Sequence, residues 1–374
     1  MAGEKKARRF RRNIAIAAVV TVLFFGALEL VFVFLDLRNR QTPLHIVRED
    51  RPYIYQLNPQ HPEISSQGLR DKEYTIPKRD GVSRILILGD SVTYGWFVAP
   101  ANTFAKRLEA DLNERQGRIE VINAGVHGYT AYNELHYYLS EGRAFGAEIV
   151  VVAFCMNDIA DPLLHWQWSK QVIKEMPQGA IPNPQYHREH IVPQFKRRQR
   201  IALLCKSALF RFARLQVLKI RARGKDPVRS WQYLAGESLP TRLTGEDTIS
   251  IKVLMDYESP EWRWLRSVYD QLADAVASDG AKLLIMAVPL GYQLDESYPY
   301  LPQQLLRRYC EEKGIAYLDL LPSFREHKER NPFNQPDIWH LTAGGHELVA
   351  DELGRYLDAH GLLRPADSAE GAER

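Results

Sequence analysis

A Gly-Asp-Ser-Val segment, Gly89 to Val92, closes the apolar run that begins RILIL at Arg84. A serine hydroxyl is a weak nucleophile until a base takes its proton. Ser91 falls between a buried strand and a helix, so its Oγ can point into a cleft. The helix start there offers backbone N–H groups to developing negative charge. The natural base is His340, in Asp337-Ile338-Trp339-His340-Leu341. Asp337 stands three residues earlier, so a tight turn puts both side chains on one side. The carboxylate can then fix the imidazole tautomer and stabilise the imidazolium. A tetrahedral oxyanion needs donors, and three are candidates: the Ser91 N–H, the Gly125 N–H in Asn123-Ala124-Gly125, and the Asn157 amide in Cys155-Met156-Asn157-Asp158. Gly125 has no Cβ, so an acyl oxygen can come close to its backbone. Losing one such donor typically costs about 10²–10³ in rate. Asp90 and Asp158 read as loop and cap supports, because Asp side chains readily accept backbone N–H bonds.

These residues must be held by alternating elements. Arg84–Asp90, Ile119–Asn123, Glu148–Phe154, Lys282–Val288 and Ile315–Leu318 read as short buried strands. Between and after them, Thr103–Arg115, Tyr132–Ser140, Trp262–Ser278, Leu301–Lys313 and Ala343–His360 read as helices. Such alternation implies a parallel sheet covered on both faces, with ligands bound beyond the carboxyl ends of its strands. The Ser91, Gly125 and Asn157 segments all fall at such ends.

Taken together and in this order, the four segments resemble the conserved blocks of the SGNH (GDSL-type) hydrolase and esterase family. Ser91, Gly125, Asn157 and His340 match its four namesake residues, and Asp337 matches its acid. The resemblance covers roughly residues 68–360, and takes in Gly68-Leu69-Arg70-Asp71 and the Thr93-x-Gly95 that follows the serine. It implies a flavodoxin-like three-layer α/β/α sandwich with a mainly parallel five-stranded sheet. It also implies hydrolysis or transfer of ester-linked acyl groups, and the basic, apolar leader is similar to that of membrane-tethered bacterial members. Cys155 departs from the family's third block by standing where Gly is usual; a local packing change is expected there.

The N-terminus adds a location. Ile14–Leu35 is an apolar run of 22 residues preceded by Lys5, Lys6, Arg8, Arg9, Arg11 and Arg12. A run of this length is enough to span about 30 Å of hydrocarbon, and the cations orient it. The expected plan is a cytoplasmic basic tail (1–12), a transmembrane anchor (13–36), a linker and lead-in segment (37–80), an SGNH hydrolase domain (81–362) and a disordered tail (363–374). The catalytic domain is then periplasmic or extracellular, on the cell inner membrane. A cleaved signal peptide fits less well, since no A-x-A follows the run. Glu29 within it reads as an interface feature or a point of helix association.

Residues 161–260 interrupt the alternation as an insertion, a lid or substrate platform on the ligand side. Within it Arg197–Arg223 reads as a basic amphipathic helix. That helix suits an anionic membrane surface, an acidic polymer or a solvated face. Trp166, Trp168 and Trp339 could make an apolar or sugar-stacking wall or simply pack, and His127 could line the pocket. His346 reads as structural. His187 and His190 lack a third ligand, so no metal or cofactor is expected. Three Cys are too few for a disulfide framework, and a net charge of +3 gives no case for nucleic acid. The expected partner is an ester-bearing glycan or lipid. The leading function is removal of acyl groups, acetyl first, through an acyl-Ser91 intermediate. An O-acyltransferase acting on an envelope polysaccharide and a non-catalytic envelope scaffold are the alternatives. Oligomeric state is not encoded in any of these features.

Overall fold

The structure is a computed structural model. It describes residues 2–38, 44–48, 50–53, 55–115, 117–156, 158, 257–294, 301–334 and 339–363. The insertion as far as 256, the tail from 364, Asn157 and Asp337 lie outside the described residues.

Two compact units result. The first contains α1 (Ala2–Arg38), a single helix of 37 residues. Its apolar side chains stand exposed, among them Val22, Leu23, Phe24 and Leu30. Among the described residues, however, no helix is long and apolar enough to cross a membrane. The transmembrane helix expected over 13–36 is therefore not supported.

The second unit holds the sheet. Its strands are β3 (Ser83–Gly89), β4 (Ile119–Gly125), β5 (Ile149–Phe154), β6 (Lys282–Ala287) and β7 (Ala316–Asp319). All neighbours pair in parallel, in the spatial order β4-β3-β5-β6-β7. Because side chains alternate along a strand, β3 feeds two cores. Leu86 and Leu88 join Tyr53, Leu135, Trp262 and Tyr309 on one face; Ile85 and Ile87 join Phe104, Leu108, Leu348 and Leu353 on the other. Helices α4 (Ala131–Ser140), α5 (Pro260–Ser278) and α6 (Leu301–Lys313) supply the first face, and α3 (Phe104–Arg115), α7 (Leu321–Glu326) and α8 (Ala343–Ala359) the second. This is the three-layer sandwich the alternation implies. Strand order reverses at β3, whose neighbours β4 and β5 lie on either side of it. That reversal is where an open α/β sheet forms its crevice.

The lead-in segment is more than a linker. It contributes a short antiparallel pair, β1 (His45–Val47) with β2 (Tyr55–Leu57). Tyr53, Leu57, Leu69 and Tyr74 are buried in the main core. Arg70 is buried too. Polarity and lack of period made this stretch look external, because the contacts that bury it are to distant parts of the chain.

Candidate active site

Register brings the two glycine-ended strands level: Gly89 lies beside Gly125. After Gly89 the chain turns into α2 (Ser91–Tyr94), a single helical turn. Asp90 caps it, accepting the Val92 N–H at 2.8 Å. Gly95 ends it in the left-handed region at φ 81°. A Cβ on Gly125 would stand 2.2 Å from Tyr94 N and 2.5 Å from the Thr93 carbonyl carbon. The turn carrying Ser91 therefore rests directly on the backbone at the end of β4. Asn123 locks the same contact, donating its amide to Thr93 O at 2.8 Å and accepting the Gly125 N–H at 3.0 Å.

The Gly125 N–H thus meets the Asn123 side chain, and the missing side chain at Gly125 allows close packing under α2. Ser91 is the first residue of α2, and its N–H has no acceptor within the helix.

His340 approaches from the far end of the chain. Its Nε2 lies 2.9 Å from Ser91 Oγ. The loop that carries it is pinched by an isolated Phe333–Leu341 bridge. Asn334 holds it further, with its N–H 3.0 Å from His340 O and its amide 2.8 Å from Leu341 O. Thr342 then caps α8, accepting the Gly345 N–H at 3.1 Å. A Cβ on Gly345 would meet Pro332 O at 2.2 Å, which fixes how tightly the loop closes. Of the five residues singled out from sequence, Ser91 and His340 are brought together. Gly125 is adjacent, under the turn that carries Ser91. Asn157 and Asp337 lie outside the described residues.

Behind Ser91 is an acidic, buried floor. The Cys155 N–H donates to Asp158 at 2.9 Å, and its Sγ lies 3.7 Å from Asp90. Burial, and then the nearby acids beginning with Asp90, push the Cys155 thiol far up, so it is no thiolate nucleophile. Cys155 and Cys310 are both buried free thiols. Burial, and then Asp90, also push the Glu134 carboxyl well above the usual carboxylate range, so this acid is neutral. Asp90 and Asp158 act as the supports expected of them.

Several residues at the site carried little sequence signal. Arg70 donates to Tyr94 O at 3.2 Å, Gly95 O at 2.9 Å and Val98 O at 3.0 Å. It thereby fastens the end of α2 and the loop after it. Its only trace in the sequence is membership of the Gly68–Asp71 block. Trp96 and Phe97 flank the imidazole, their ring centroids 6.4 Å and 5.6 Å from that of His340. His127 stacks on Trp96 at 4.5 Å, so it belongs to the wall of the site. His45 lies 5.8 Å beyond His127, and burial, then His127, lower it to about 4. His346 is buried and stacked on Phe104, as a structural histidine should be. Among the described residues no group of three or more His, Cys, Asp or Glu is arranged to hold a metal ion.

Residues 87–348 match the GDSL-like lipase/acylhydrolase family, and the chain belongs to it. It is a serine hydrolase acting on ester bonds. No curated protein matches its sequence significantly. Solved structures similar to it include TesA (12% identity over 75% of this chain and 100% of that one, TM-score 0.41). A catalytic mutant of Axe2, an acetylxylan esterase from Geobacillus stearothermophilus, is 12% identical over 74% of this chain and 94% of that one, with a TM-score of 0.42. The psychrotrophic esterase EstA from Pseudoalteromonas sp. is 12% identical over 74% of this chain and 98% of that one, with a TM-score of 0.40.

Proposed function

We propose that Ser91 is the nucleophile and His340 the general base of an esterase that removes ester-linked acyl groups, acetyl in the first instance, from an envelope glycan or lipid. The observation carrying this is the 2.9 Å approach of His340 Nε2 to Ser91 Oγ, within the reach a base needs. The Ser91 Oγ–acyl bond forms as its proton passes to His340, and collapse of the tetrahedral species expels the alcohol, which takes that proton. Water, deprotonated by the same imidazole, then releases the acid and frees Ser91. Asp337 orients the imidazole in this scheme, and the Asn157 amide joins the Ser91 N–H as oxyanion donors. Both assignments rest on sequence position. The Gly125 N–H, bonded to Asn123, is left out of the donor set.

The substrate's location belongs to the same reading. The cations at Lys5–Arg12 and the exposed apolar side chains of α1 support attachment at a membrane surface. Co-flotation of the full chain with anionic vesicles tests it, and a chain left at the bottom of the gradient refutes it.

The decisive experiment on the chemistry is fluorophosphonate labelling with hydrolysis of an acetyl ester, in wild type and Ser91→Ala. Labelling and turnover are expected in the first and a loss of about 10⁴-fold or more in turnover in the second. Turnover unchanged in Ser91→Ala would overturn the assignment. Product analysis with a glycan acceptor present separates hydrolysis from acyl transfer.

A further inference from the structure

The loop after α2 carries an unusual pair. Phe97 has φ 75°, a conformation that side-chain-bearing residues rarely hold. The residue is also 65% exposed. A left-handed backbone at a bulky residue costs of order 1–3 kcal/mol and persists only where its surroundings over-determine it. Here the surroundings do so. The buried guanidinium of Arg70 grips the carbonyls of Gly95 and Val98, one on each side of the Trp96–Phe97 pair. Neither burial nor core packing accounts for a phenyl ring held out in this way.

The ring's neighbours give it a purpose. Phe97 stands edge-to-face with Trp96 at 6.1 Å and with His340 at 5.6 Å. Trp96 is braced from behind by His127, whose own backbone carbonyl accepts the Tyr55 hydroxyl at 3.1 Å. Exposed Trp339 directly precedes His340. The result is an aromatic ledge beside the reacting imidazole, interleaved with imidazole and indole groups that can hydrogen-bond. A pyranose ring has the matching character, with an apolar C–H face and a hydroxyl rim. A fatty chain would match the aromatic faces alone and make no use of the hydrogen-bonding groups set between them.

We infer that the Trp96–Phe97 ledge is a subsite for the sugar ring that bears the ester, so the alcohol released at Ser91 is a pyranoside hydroxyl. This rests on Ser91 and His340 being the catalytic pair.

The test compares an acetylated methyl pyranoside, ethyl acetate and ethyl octanoate as substrates of wild type, Phe97→Ala, Phe97→Gly and Phe97→Tyr. Glycine adopts φ 75° without strain, so the first two variants share only the loss of the ring. Both are expected to lose about tenfold more kcat/KM on the pyranoside than on ethyl acetate, the effect of uncovering some tens of Å² of apolar surface. Phe97→Tyr is expected to keep wild-type discrimination. Equal losses on all three esters, or a selective loss on ethyl octanoate, would overturn the inference. Binding of the pyranoside to Ser91→Ala, followed by saturation-transfer NMR, gives a readout that needs no turnover. Contact expected there should vanish when Phe97→Ala is added, and binding that survives refutes the ledge. Absence of Ser91 labelling with intact ledge binding would instead refute the catalytic pair alone.

Discussion

Ser91 sits on one helical turn clamped from three directions, by Asp90 beneath, Asn123 and Gly125 at the side and Arg70 behind, whereas His340 rides on a loop held through Asn334 and an isolated bridge. The first is seated on central strands of a parallel sheet. The second is delivered more than two hundred residues later by the approach to α8. The difference fits the two tasks. A nucleophile must hold its place against the acyl carbon, since an error near 1 Å can cost about 10² in rate. A base must pass a proton between two partners in turn, so its loop needs only to return to within hydrogen-bond reach.

That contrast can be broken from either side, and the largest effect is expected at Gly125. Gly125→Ala drives a methyl into the backbone of Thr93 and Tyr94, which cannot swing aside as a side chain would. Overpacking of this kind costs about 1–3 kcal/mol. The displaced turn should lower kcat by about 10² or more, measurable as kcat beside the urea midpoint. Kinetics like wild type would mean that the turn is not as rigid as its contacts indicate.

Next comes Arg70. Arg70→Lys keeps the charge but not the planar fork that reaches three carbonyls at once. A fall of about tenfold in kcat/KM is expected, with most of the folded stability retained. The loop on the other side should be more forgiving. Asn334→Ala removes the side-chain amide from the carbonyls of Leu341 and His340 but keeps the backbone bond to His340 O, and a loss of only a few-fold in kcat is expected. If Asn334→Ala proved more damaging than Arg70→Lys, the contrast between a fixed nucleophile and an adaptable base would be reversed.

The smallest effect concerns pH. Six residues after His340, burial lowers His346 to about 3; on α4, burial lowers His136 to about 4. Both are neutral in the folded state, while the unfolded chain takes up protons below about 6.5. Stability from these groups is therefore complete above pH 6.5 and drains away as pH falls from there towards 4 and 3. The slope is at most about 1.4 kcal/mol per pH unit for each. The urea midpoint should be lower at pH 5 than at pH 7.5 and less so in His136→Leu. An identical drop in the variant would remove His136 from the account.

Much of this molecule could be read along the chain. Five strands, the helices between them and the pairing of a serine after β3 with a histidine before α8 follow from periodicity and spacing, because those signals are local to each element. The Asp337 and Asn157 assignments rest on the same kind of spacing, and both residues lie outside the described ones. Other features depend on segments distant in sequence. Gly125 looked like an oxyanion donor because a glycine at a strand end permits close approach; only the fold shows that α2 makes that approach and that Asn123 takes the N–H. Arg70 and Tyr53 looked like parts of a polar lead-in, and the fold buries them against α2 and α4. The Trp96–Phe97 ledge had no pattern at all, since its meaning is its distance to His340. Sequence fixes which residues can do chemistry and which elements carry them, since propensity and burial act over a few residues. Packing between remote segments decides which backbone groups stay available, and so which of those candidates the site can use.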